Sequence, residues 1–160
     1  MQISVESLLK AVDKVDGLDQ ESLEQMSESY VLQQSQMVGY IMSSTIEFEN
    51  EALLEMLIYY FNIFMEACTI EGAISVAITE EEIDTYHDEF TEVLDEYTEK
   101  EDMEVIEDFV NQPIMLSFLA NEVQIEDENG ESLDEDTANL LFLVGCSMIG
   151  LIDRSINKKA

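Results

Sequence analysis

Thirty-seven acidic side chains share this chain with only six basic ones, leaving a formal net charge of −31 over 160 residues. Self-repulsion on that scale expands a chain unless apolar burial exceeds it. Here 46% of residues are hydrophobic, Pro occurs once and Gly six times. The apolar positions recur at helical spacing, so a packed helical body with charged faces is expected rather than disorder. A folded chain of this mass exposes roughly 8,100 Å², about one net negative charge per 260 Å². Such a field repels nucleic acid and anionic membranes, so neither is an expected partner. It attracts basic proteins and cations.

The periodicity predicts an all-α, compact multi-helical bundle of five to seven helices, in a single domain over residues 1–160. Ser4 caps a first helix that Asp16 and Gly17 close. A second helical region runs from Asp19 to about Ile46, with a bend expected across the polar run 33–36. Asn50 caps a third, residues 51–69, apolar around most of its circumference and therefore central. Glu51, Glu55, Asn62 and Glu66 mark its narrow wet side. Residues 73–78 favour a strand by composition but have no partner strand, so a loop or helical turn is expected. Thr79 and Glu82 form a capping box for a fourth helix reaching about Glu99. Pro113 divides a fifth region, 103–123, into two short helices. Ser132 and Glu135 offer a cap for a last apolar helix whose wet positions are Asp153, Arg154 and Asn157. Leu54 and Leu141 are expected core positions.

Residues 28–33 and 107–112 resemble each other at an offset of 79. The echo is compatible with two similar halves, and equally with the ease of matching helical periodicities.

The apolar stretches 53–65 and 138–152 fall short of the roughly 20 residues that span a bilayer. The first nine residues have no basic and apolar export pattern. A cytoplasmic protein with free, buried thiols at Cys68 and Cys146 is expected. The third and last helices leave room for either a monomer or a homodimer.

No motif names a chemistry or a cofactor, and a non-catalytic role is favoured over an enzyme. The acidic loop at residues 126–136 misses the calcium-loop pattern, because Gly130 falls at position four rather than six when Asp127 is position one. Asp84 and His87 make a single D-x-x-H turn, and the only histidine cannot supply the second that a di-iron bundle needs. Neither cysteine has a histidine beside it in sequence, and apolar surroundings keep a thiol neutral. What stands out is charge density: residues 80–108 and 122–136 hold 23 of the 37 acids. Asp84, Asp88, Glu92, Asp95 and Glu96, with Glu126, Asp127 and Glu128, are the candidate contacts for a basic protein, with mimicry of nucleic-acid phosphates as one form of that role. A divalent-metal site built from converging carboxylates is the alternative.

Overall fold

A computed structural model describes residues 1–46, 50–124 and 134–158. Among the described residues there are eight helices and no strand: α1 (Val5–Gly17), α2 (Gln20–Gln33), α3 (Ser35–Ile46), α4 (Glu51–Glu71), α5 (Glu80–Lys100), α6 (Glu104–Val110), α7 (Pro113–Glu122) and α8 (Glu135–Asn157). The all-α class is as expected. The count exceeds five to seven because both expected interruptions, at Gln34 and before Pro113, separate the chain into distinct helices.

Local chemistry sets most of the boundaries. Ser4, Asp19, Asn50 and Thr79 each accept a backbone N–H from the first turn of α1, α2, α4 and α5. Glu82 completes the capping box on α5. Gly72 ends α4 at φ 86°, a left-handed backbone in which a side chain is strained. At α8 the cap differs from expectation. Asp134 accepts from the Thr137 N–H at 2.8 Å and Glu135 is the first helical residue, while Ser132 lies outside the described residues.

Helices α4 and α8 form the centre. Helix α1 lies along α4, and α6 and α7 pack on α8. Leu53, Leu57, Phe61 and Phe64 from α4 join Leu141, Met148 and Ile152 from α8 in one continuous core. By length and composition α4 and α8 are long enough to cross a membrane, at 21 and 23 residues, beyond the shorter apolar stretches read from sequence. In this fold more than half of each apolar stretch is buried inside the protein. Glycines let neighbours approach α8: a Cβ at Gly145 would collide with the Leu119 side chain, and one at Gly150 with the Tyr86 hydroxyl.

Three expectations about sidedness fail. Asn62 and Glu66 are buried, because α1 and α2 cover the face of α4 that looked wet. Asp153 is buried too. Leu54 is only half-buried and borders a surface groove with Thr45 and Asn50, whereas Leu141 is 1% exposed.

Two buried glutamines hold the non-helical segments. Gln34 donates to the Val76 carbonyl at 2.9 Å and to Ser75 Oγ at 2.7 Å, and accepts from the Ile78 N–H at 3.0 Å. Residues 73–78 are therefore an irregular connection clasped by a side chain, with Val76 N–H also donating to the Ser155 carbonyl. Gln112 accepts from the Ile3 N–H at 3.0 Å and donates to the Met1 carbonyl at 2.8 Å and to Asp153 Oδ1 at 2.7 Å. Each clasp satisfies backbone groups that would otherwise cost about 1–3 kcal/mol apiece if left buried and unpaired.

Candidate functional site

Helix α5 is amphipathic, with Ile83, Tyr86 and Phe90 buried against the body. Tyr86, Phe90 and Phe109 stack with ring centroids 5.3–5.9 Å apart. The Arg154 guanidinium lies over Tyr86 at 4.6 Å and Phe109 at 5.0 Å. These contacts fix the helix, so its outer faces present their side chains at defined spacing.

Seven of the ten acids of α5 fall into two rows, with Glu80, Glu81 and Glu99 at its ends outside them. Glu82, Glu89 and Glu96 recur every seven residues and each meets a cation: Lys158 at 2.5 Å, Arg154 at 2.8 Å and Lys100 at 2.7 Å. Lys158 holds the Glu82 carboxyl below the usual carboxylate range. The second row is Asp84, Asp88, Glu92 and Asp95. All four are exposed, and none makes an ion pair among the described residues. Asp84, Asp88 and Glu92 climb one face in steps of about 6 Å. The two remaining described cations are engaged elsewhere, Lys10 by Glu6 and Lys14 by Glu66. Of the residues singled out from sequence, four therefore form one unneutralised row. Glu96 belongs to the paired row instead. Glu126, Asp127 and Glu128 lie outside the described residues.

Next to the unpaired row, α5 borders a groove of about 260 Å³. Its walls are Phe90 and Leu94 from α5, Leu140, Leu143 and Val144 from α8, and Tyr40 and Ser44 from α3. At the rim the Tyr40 hydroxyl and His87 Nδ1 are 2.7 Å apart, with the rings edge to face. The edge of the apolar stripe on α5, where a packed, hydrogen-bonded ring is expected of His87, instead leaves it hydrogen-bonded but exposed. Burial pushes the Tyr40 phenol up, opposed by the neighbouring Ser147 hydroxyl. Ser147 is 4% exposed, and its Oγ, although beside the Tyr40 phenol, meets no partner at full hydrogen-bond geometry among the described residues. The sequence shows Ser147 only as one hydroxyl in an apolar helix, and nothing in its spacing links it to Tyr40, 107 positions earlier.

Other chemistry is not assembled. Among the described residues no three His, Cys, Asp or Glu side chains converge as a metal site would require. Burial pushes the Cys68 thiol up to about 12 and raises that of Cys146 as well, which leaves both as poor nucleophiles. Both are free. The buried carboxylates serve packing. Glu66 receives Lys14 Nζ at 2.6 Å and the Tyr30 hydroxyl, and Asp153 receives Gln112 and, at 2.9 Å, Asn157 Nδ2.

No protein-family model, curated protein or solved structure matches the chain.

Proposed function

We propose that this chain is a non-catalytic cytoplasmic protein that binds a basic surface of a partner protein through the unpaired row of α5. One observation carries the reading. Asp84, Asp88, Glu92 and Asp95 stand exposed and unpaired on a rigidly packed helix, while the described cations are engaged by other acids. A row of fixed like charges steers an oppositely charged partner and sets its register. The same row can occupy a groove that otherwise holds nucleic-acid phosphates. Free, buried thiols support the cytoplasmic setting. Two related halves stay part of the reading on the sequence echo of residues 28–33 and 107–112 alone, because at that offset Gln112 pairs with Gln33 and not with the clasping Gln34.

Affinity capture from cell extract tests it, with three baits. The wild-type chain retains a basic protein at low salt and releases it at about 0.5 M salt, where screening acts over only a few ångströms. A variant carrying Asp84→Asn, Asp88→Asn, Glu92→Gln and Asp95→Asn loses that protein. A charge-matched variant with Glu21→Gln, Glu24→Gln, Glu28→Gln and Glu55→Gln, all exposed positions off α5, keeps it. Equal loss in both variants would mean that only total charge matters and would overturn the assignment to α5.

A further inference from the structure

Taking the unpaired row of α5 as the partner-binding surface, we propose that the groove between α3, α5 and α8 beside it seats the apolar face of a basic amphipathic helix of the partner protein. Phe90 and Leu94 from α5 and Leu140, Leu143 and Val144 from α8 form its apolar walls. All of these except Phe90 stand half-exposed. The polar groups of the lining are already occupied. Ser44 Oγ donates to the Tyr40 carbonyl at 3.2 Å and Thr91 Oγ1 to the His87 carbonyl at 2.9 Å, and the Tyr40 hydroxyl and His87 Nδ1 hydrogen-bond to each other at 2.7 Å. The Ser147 hydroxyl is closed off beside the Tyr40 phenol. The groove therefore calls for apolar cover. Its 260 Å³ is room for one or two apolar side chains, given that about 150 Å³ holds a benzene ring.

Charge decides which cover fits. Asp88, Glu92 and Asp95 each follow a groove-lining residue of α5 by one position: His87, Thr91 and Leu94. The row therefore runs along one flank of the groove, and from Asp84 to Asp95 it is about 16 Å long. Helix α3, another wall, has no charged residue. The matching occupant has an apolar face with cations along one edge of it. The walls are helices whose backbone groups are paired internally, so an extended peptide finds no ladder to join. A helix brings its own hydrogen bonds and lays its apolar face into such a groove. A second copy of this chain carries the same −31 and is repelled.

The chain has no tryptophan, so a peptide carrying one reports its own burial. The probe is a peptide of about five helical turns, with Leu and a single Trp along one face and Lys along the edge of that face. It is titrated against the full chain at about 0.15 M salt, beside a peptide of the same composition whose apolar residues are scattered round the helix. The ordered peptide binds saturably with blue-shifted emission. The scattered one binds about tenfold more weakly or worse, as loss of one buried anchor implies. Val144→Phe fills the groove and Leu143→Gln makes it polar. Each keeps the helical circular dichroism, weakens the ordered peptide about fivefold and abolishes the blue shift. Asp84→Asn, Asp88→Asn, Glu92→Gln and Asp95→Asn together weaken it about tenfold. Equal binding of the two peptides would overturn the groove, as would both groove variants binding like the wild type. If the row variant still loses both peptides in those cases, the acidic row stands as the partner surface and only the groove falls. Full binding by the row variant would overturn the row and this inference with it. A dimer of the chain alone that Val144→Phe dissolves would make the groove a self-contact and overturn the partner helix.

Discussion

Helices α4 and α5 are both 21 residues long and use carboxylates in opposite ways. Helix α4 has four acids, and two are built into the fold. Glu66 is buried against Lys14 and Tyr30, and Glu71 accepts from the Ser4 N–H and from the Ser4 and Ser7 hydroxyls, tying α4 to the start of α1. Helix α5 has ten acids, and Asp84, Asp88, Glu92 and Asp95 touch no cation among the described residues. Like charges four residues apart on a helix cost a few tenths of a kcal/mol per pair. The body of α5 therefore tolerates a row that its own packing does not use. A carboxylate engaged by the fold is tied to stability, whereas an unengaged row is free for a partner.

The largest test of that contrast is Glu66→Ala. It strands the buried Tyr30 hydroxyl with Thr69 alone, 3.1 Å away, and removes the partner of Lys14. Because the Lys14 side chain is half exposed and returns to water, the loss is about 2 kcal/mol, read from urea denaturation. A loss below a few tenths would place Glu66 with the unengaged acids.

Acid titration separates the two classes next. The Ser7 and Ser4 hydroxyls hold the Glu71 carboxyl below the usual range, and the Thr137 N–H does the same for Asp134 at the α8 cap. A carboxyl lowered in the folded state stabilises fully above its ordinary value and loses that contribution as pH falls through the lowered one. Melting temperature should therefore drop below about pH 4, and Glu71→Gln should flatten that limb. An unchanged limb would detach Glu71 from the stability of the α1–α4 contact. The smallest effects belong to the row itself. Asp88→Asn or Glu92→Gln should each raise stability by about 0.3–0.5 kcal/mol at low salt.

Much of this fold is legible in the residues, because helix boundaries depend on near neighbours. Ser4, Asp19, Asn50, Gly72, the Thr79–Glu82 box and Pro113 all act within one turn of their own positions. Sidedness depends on distant partners and is not legible. Glu66 looks wet until Lys14 and Tyr30, 52 and 36 positions away, close over it. Asp153 looks like a surface acid until Gln112 reaches it across 41 positions. The candidate site divides the same way. The charge density of α5 is evident from composition, but its division into a paired and an unpaired row depends on where Arg154 and Lys158 land. The groove is assembled from three helices, and no single stretch announces it.

The central claim is that the unpaired row of α5 burdens the fold instead of supporting it. The most direct test is the melting temperature of the chain with Asp84→Asn, Asp88→Asn, Glu92→Gln and Asp95→Asn together, against the wild type at low salt. The account predicts a gain of about 1 kcal/mol, or about 3 °C, that shrinks toward zero at about 0.5 M salt. A fall of similar size would contradict it, because these carboxylates would then be structural and the case for a surface kept free for a partner would lapse.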